Sequence, residues 1–390
     1  GERLPARCGG GYTYVPLTLA GGEDMILDVT PLDPASPAYP VAVAHGEERA
    51  VLGPVTLGAP NCLTVDRAQL AFDDAPFSAA APMCRIIERL YGPDGAGARQ
   101  IRLRYTFTCR DVPQGEVTVA FEDRDCLAAA CNGTDITGAR IGWWIDRQVG
   151  EYRVTGLLHG GENTVELIYR LPKNENGVNV GEVFETERNR FFYPLEPDSL
   201  YVRGDFDVLP VGQPQWKVTH YAVPGDGFVL AAPTAKTAQD LTPQGLWFYR
   251  GDAAAAVTVR RRPGERLFLR LRGMRAVAAA WSTPHGDGLI FRPPYEAELT
   301  AAVPADTDVT VTLRLIGDNR DLLGPHHHIG GEVAMVGPST FRGRRGFEDF
   351  VSPQIRQDDT WTDDYNVIPF TFGEAVWRRA HDEECRPLGR

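Results

Sequence analysis

Apolar and polar residues alternate with a period of two in short runs along most of the chain. Examples are Ile101-Arg-Leu-Arg-Tyr-Thr-Phe-Thr, Glu116-Val-Thr-Val-Ala-Phe, Thr164-Val-Glu-Leu-Ile-Tyr, Arg266-Leu-Phe-Leu-Arg-Leu and Asp308-Val-Thr-Val-Thr-Leu-Arg-Leu. Successive side chains of a strand point to opposite faces, so this pattern predicts half-buried strands. Gly, Pro, Asp and Asn interrupt the runs at hairpin distances, as expected where the backbone must turn. A helical period is held best from Ala81 to Tyr91, which predicts one short helix. The fold class is therefore all-β, with sandwiches favoured over a closed barrel.

A weak internal repeat lies on this pattern. The first copy runs from about Gln100 to Arg170 and the second from about Ala254 to Gly317. Each contains two strands, a polar turn (Asn132-Gly133; His285-Gly-Asp-Gly), an aromatic segment, and a closing turn and strand. Tyr152 is matched with Tyr295, and Thr155–Leu158 with Leu299–Val303. A repeat near 145 residues is too long for a solenoid unit and predicts two domains of one fold. The expected division is a tail of a preceding small β linker domain over 1–55, a first sandwich over 56–215, and a second over 216–390 with a closing segment.

Composition changes the picture only in places. A chain of 390 residues exceeds the size at which single cores stop growing, which agrees with several domains. The formal net charge is −12, and the densest basic run, Arg260-Arg261-Arg262, ends one alternating segment just before Pro263-Gly264. That places it at a strand end, and the acidic balance speaks against a nucleic-acid partner. No apolar run reaches the ~18 residues of a membrane span. Seven scattered cysteines, without paired metal spacing, predict buried free thiols rather than a disulfide scaffold. The opening Gly1-Glu-Arg-Leu-Pro has neither an initiator Met nor a signal peptide, which is compatible with a processing event, an artificial boundary or a cut in a longer protein and leaves localisation (bacterial cytoplasmic or secreted) open.

The segment Tyr152-Arg-Val-Thr-Gly-Leu-Leu-His-Gly-Gly-Glu-Asn-Thr-Val-Glu-Leu resembles the closing signature of galactose-binding-like jelly-rolls in glycoside hydrolases. Further segments, in order, are PNCLTVDRAQL (60–70), GWWIDRQVGEYRVTGLL (142–158), SLYVRGDFDV (199–208), GLWFYRG (245–251), DNRDLLGPHHH (318–328), VGPSTF (336–341) and WTDDYNVIPFTFG (361–373). Together they resemble the region after the catalytic barrel in bacterial α-L-rhamnosidase-like glycosidases, over roughly residues 55–375. The resemblance implies two jelly-roll sandwiches that support a catalytic (β/α)-barrel in the same parent protein and face carbohydrate. The acid and base of such enzymes belong to the barrel, so no catalytic pair is expected here, although carboxylates such as Glu162, Glu182, Glu185, Glu187 and Glu196 abound. A free-standing carbohydrate-binding protein and a complete enzyme with a sandwich-borne site are the alternatives.

Candidate sugar-binding residues follow from stacking chemistry, since a pyranose face packs on a flat ring while polar neighbours bond its hydroxyls. Trp143, Trp144, Asp146 and Arg147 offer this, with one indole expected in the core and the other exposed. Trp247 and Tyr249 repeat the arrangement, and Asp205 could bond hydroxyls or cap a turn. For metals, His326 and His328 would share a strand face, with Glu332 or Asp321 completing a shell; a packed histidine cluster is the plainer reading. No cofactor is expected, although a structural calcium near Glu122, Asp123 and Asp125 is compatible with the charged turn there. An exposed apolar patch is expected around Leu17–Val29, where a catalytic domain would dock.

Overall fold

The structure, a computed structural model, describes residues 7–9, 12–15, 25–27, 39–90, 93–95, 97–171, 195, 197–327 and 362–385. It is almost entirely β, with antiparallel sheets stacked over two main apolar cores. A small hairpin, β1 (Arg7–Gly9) with β2 (Tyr12–Tyr14), precedes them. The expected helix forms over Met83–Leu90.

In the first sandwich one sheet runs β11 (Thr134–Asp135), β10 (Cys126–Cys131), β14 (Gly161–Arg170), β8 (Gln100–Cys109). Strand β6 (Arg67–Phe72) continues it beyond β8, with β7 (Ala81–Pro82) on its edge. The facing sheet runs β12 (Arg140–Trp144), β13 (Asp146–Arg153), β9 (Val117–Glu122), β15 (Leu200–Gly204), β5 (Asn61–Val65). Leu103, Tyr105 and Phe107 from one sheet meet Val117, Val119 and Phe121 from the other, the inward half of each alternating run.

The second sandwich has the same layout. One sheet runs β24 (Gly286–Ile290), β23 (Ala278–Thr283), β26 (Asp308–Ile316), β21 (Ala253–Arg260), β4 (Pro54–Leu57). The facing sheet runs β25 (Glu296–Glu298), β22 (Glu265–Arg272), β28 (Glu374–Cys385), β3 (Tyr39–Arg49). Its core holds Leu267, Leu269 and Leu271 against Val257, Val311 and Leu313. Strands β3 and β4 thus occupy in the second sandwich the places of β5 and β6 in the first. Of the expected linker tail over 1–55, the part from Tyr39 on contributes β3 and the start of β4 to this sandwich. Leu57 pairs with Ala253, so the chain leaves the outer sandwich and returns to it at one point, with the whole inner sandwich between.

The internal repeat is present in the packing, with a register the sequence did not reveal. Val154 N–H donates to the Val117 carbonyl at 2.9 Å, and Leu299 N–H donates to that of Leu267 at 2.7 Å. One residue on, the Thr155 hydroxyl accepts from Val117 N–H and the Thr300 hydroxyl from Leu267 N–H, both at 3.0 Å. Both turns then close by a 3.0 Å bond, Leu157 N–H to the Val154 carbonyl and Ala302 N–H to that of Leu299. In this frame Tyr152, opposite Val119, corresponds to Ala297, opposite Leu269. Tyr295 lies two residues earlier, in a turn at φ +56°, whereas Tyr152 is a strand residue stacked on Phe121. The tyrosine match is therefore a two-residue slip, although the repeat around it stands.

The connection between the sandwiches includes β16 (Asp207–Pro210), β17 (Gln215–Trp216), β18 (Tyr221–Val223), β19 (Phe228–Ala231) and β20 (Lys236–Thr237). Strand β19 runs parallel to the end of β8, and β27 (Tyr365–Val367) pairs with β18. At its centre Lys236 is buried, donating to Asp207 at 2.5 Å, to the Thr234 carbonyl and to the Thr234 hydroxyl. Asp207 also accepts from the Thr234 hydroxyl at 2.6 Å, so the pair is saturated, as a buried ion pair must be. Gly245 packs directly on it: its φ is +98°, and a Cβ there would sit 2.7 Å from that of Asp207. Only glycine fits.

Candidate functional site

The residues singled out around Trp143 and Trp144 lie on the hairpin β12–β13, at the edge of the five-stranded sheet. Alternation divides the tryptophans as expected: Trp143 is 55% exposed, and Trp144 is 9% exposed on the outer side of the sheet. There Trp144 meets Tyr201 edge-on, with ring centroids 5.5 Å apart. The Arg203 guanidinium lies over the Trp144 ring at 4.3 Å, and that of Arg250 at 5.8 Å. These are cation–π contacts, strengthened where water is excluded. Arg203 is also ion-paired with Glu151, whose Oε1 accepts from the Thr118 hydroxyl at 2.7 Å.

Tyr201 and Arg203 alternate onto this face from β15, Thr118 from β9 and Glu151 from β13, so four strands set up one polar and aromatic surface. The short helix Arg320–Leu323 covers one end of it: Leu322 packs on Trp144, Tyr201 and Cys62, and its carbonyl accepts from the Thr64 hydroxyl at 2.9 Å. Asn319 holds Arg250 in place at 2.8 Å. The sequence reading missed Arg203, Glu151 and Thr118. Their signal was the period-two outward set of each strand, legible only once the pairing was known.

Asp146 and Arg147 are exposed beside Trp143, and the Asp146 carboxylate accepts from Gln148 N–H at 2.9 Å. Asp205 is exposed just past the end of β15. The hydrogen-bonded acid of that segment is Asp207, two residues on. The structure corrects the candidacy of Trp247 and Tyr249. Trp247 is 1% exposed and Tyr249 4%, leaving no ring face for a ligand. The reason is positional, because Leu246–Tyr249 crosses between the two cores. Trp247 and Phe248 pack into the first, Leu246 and Tyr249 into the second. Trp247 meets Tyr221 edge-on at 5.4 Å, while the Tyr249 hydroxyl donates to the Asp252 carbonyl at 2.7 Å.

The histidine run is also inward. His326 is buried with Nε2 2.7 Å from the Asp321 carbonyl, and burial lowers its pKa from the ordinary 6.5 to about 4. His327 Nε2 lies 2.7 Å from the Asp66 carboxylate, which also accepts from the Tyr365 hydroxyl at 2.7 Å. Burial alone would raise the Asp66 pKa. The hydrogen bond and electrostatic pull of His327, with His326 and Tyr365, outweigh it and hold the group at about 2. This cluster pins the segment around Tyr365 to the turn between β5 and β6. His328 and Glu332 lie outside the described residues. Among the described residues no group of three or more His, Cys, Asp or Glu is placed to hold a metal ion. At the calcium candidate, Asp123 already accepts from Arg140 at 2.7 Å and from the Tyr152 hydroxyl at 3.1 Å. Glu122 lends its carbonyl to the Tyr169 hydroxyl, and Asp125 lies 3.8 Å from Arg124. The candidate acids are directed to separate partners. Of the expected apolar patch, residues 25–27 are described and exposed, Ile26 at 92%; the remainder lies outside the described residues.

No family model and no curated protein matches the chain. Among solved structures it is similar to a GH2 beta-galacturonidase from Eisenbergiella tayi, at 9% identity and a TM-score of 0.25, over 66% of this chain and 37% of that one. It is similar to a beta-D-mannosidase from Dictyoglomus thermophilum at 10% identity and a TM-score of 0.25, over 66% and 31%. It is also similar to a rhamnosidase from Novosphingobium sp. PP1Y at 13% identity and a TM-score of 0.23, over 72% and 23%. The chain spans between about a quarter and two fifths of the length of these structures.

Proposed function

We propose that this chain is the non-catalytic, carbohydrate-facing accessory portion of a glycoside hydrolase of the α-L-rhamnosidase-like type, two galactose-binding-like sandwiches that buttress a catalytic barrel. The reading is supported by the ordered set of resembling segments and the doubled sandwich. It is carried by one observation: Trp143 is an exposed indole on a strand edge, with exposed Asp146 and Arg147 beside it. A flat ring near a hydroxyl acceptor and a cationic donor is what a sugar face requires, whereas Trp144 is already covered by arginine.

Calorimetric titration with neutral, rhamnose-containing oligosaccharides tests it. Weak binding is expected, reduced roughly five- to tenfold in Trp143→Ala, as loss of one ~1 kcal/mol stacking contact implies. Binding indifferent to Trp143, or no binding, would remove the carbohydrate-facing role. Aryl glycosides should be released only at background rate by the chain alone. Turnover abolished by mutating one carboxylate of this chain would replace the reading with that of a complete enzyme.

A further inference from the structure

The second sandwich carries an open, charged groove that the reading above does not use. It has a volume of about 940 Å³ and lies between the turn Arg260–Glu265, the turn at Asp306, the last residues of β3 and the middle of β28. Its walls include Glu48, Arg260, Arg262, Glu265, Asp306 and Arg379. The three consecutive arginines that mark this strand end have divided roles. Arg261 is structural: its guanidinium donates to the carbonyls of Val303 and Glu265, both at 2.8 Å, and its own carbonyl accepts from Asp306 N–H. Arg379 is neutralised, pairing with Glu265 at 2.8 Å and with Glu48 at 3.5 Å. Arg260 and Arg262 flank it with exposed side chains whose guanidiniums have no hydrogen-bond or ion-pair partner among the described residues. Asp306 is exposed on the opposing turn, held at φ +57° by the bond to Arg261.

Glu48, Glu265 and Asp306 offset the three arginines of the walls, and Arg260 and Arg262 are the two whose guanidiniums are left to a ligand; arginine binds planar carboxylates bidentately. Asp306 and Glu48 line the same groove as carboxylates able to accept from hydroxyls. The volume suits a ligand of two to three sugar rings, within the range of small-molecule sites. We infer that this groove binds a carboxylate-bearing sugar, a uronate unit of an acidic oligosaccharide, with Arg260 and Arg262 on the carboxylate and Asp306 on the hydroxyls. That the carboxylate is carried by a sugar rests on the proposed function; the anion fork itself does not.

The test is titration of the whole chain with a tri-uronate, its methyl-esterified neutral counterpart, and succinate as a plain carboxylate. The tri-uronate should bind at least tenfold more tightly than the ester, and weaken as ionic strength rises from about 10 to about 300 mM. Arg260→Ala/Arg262→Ala should lose that preference, while Asp306→Asn should weaken the tri-uronate and leave succinate unchanged. Equal binding of acid and ester, an unaffected double variant, or no binding would overturn the inference. Succinate binding as tightly as the tri-uronate would overturn the sugar assignment. The neutral-sugar titration on Trp143 is read separately, so a chain that binds neutral sugar at Trp143 and no uronate here fails only in this groove.

Discussion

The two sandwiches share strand order and closing turn, yet they treat the same edge in opposite ways. In the first, the end of β8 is covered: β19 runs alongside it, and the Leu230 carbonyl accepts from Arg110 and Asp111 N–H. Arg110 then pairs with its neighbour Asp111, whose carboxylate also takes Ala232 N–H. In the second, no described strand covers the end of β21, so Arg260 faces the open groove. One layout thus yields a sealed structural body and a body with a polar opening. The difference lies in the connection that follows β15, not in the repeated strands. A duplicated fold can divide labour through what is threaded between its copies.

The comparison is broken most severely at the seal. Asp207→Ala leaves Lys236 buried and uncompensated, and should cost about 3–5 kcal/mol in urea unfolding. A loss below about 1 kcal/mol would mean that the connection does not hold the first sandwich closed. Acid should expose a second asymmetry. Unfolded chains take up the His326 proton near pH 6.5 but the folded protein only near 4, so stability should fall by about 3 kcal/mol across that interval. Asp66 adds stability that is fully present above 3.8 and lost as the pH falls to about 2, some 2 kcal/mol more. Urea midpoints against pH should show both steps, with His326→Gln removing the upper and Asp66→Asn the lower. A profile unchanged in both variants would refute the account of this cluster.

Where the sandwiches agree, mutations should agree too. Thr155→Ala and Thr300→Ala each remove the hydroxyl that accepts from a core-strand N–H, and each should cost about 1–3 kcal/mol. Costs that differ by more than about 1.5 kcal/mol would show that the turns are alike in shape only. Trp143→Ala should leave stability within about 0.5 kcal/mol, because its indole is on the surface.

Alternation made the strands and the doubled fold legible, because burying one face of a sheet writes a period of two directly into the chain. It could not show that β3 and β4 join β28 and β21, since those partners lie hundreds of residues apart and any half-buried strand satisfies the pattern. The site was half legible for the same reason. Two adjacent tryptophans on a strand must face opposite ways, so one exposed indole could be expected. That Trp247 is buried depended on two cores meeting across a four-residue segment, which no local pattern encodes. His326 and His327 resembled ligands because imidazoles serve both metals and buried acids; Asp66, some 260 residues away, decides between them.

The pairing of Leu57 with Ala253 also has a temporal consequence. An unfolded loop of about 195 residues between these partners would cost roughly 4–5 kcal/mol to close, on a (3/2)RT ln n scale. Within the inner sandwich Asn61 is opposite Gly204, so once that body has folded, most of the loop is already drawn to a point. The strands that the inner sandwich shares with the outer one are all made by Gly204, with β19 and Trp247 sealing them soon after and only the Tyr365 segment arriving late. The outer sandwich, by contrast, lacks a whole repeated strand until β28. During synthesis the inner copy can therefore form first and act as a clasp, after which the outer copy assembles around its own waiting strands.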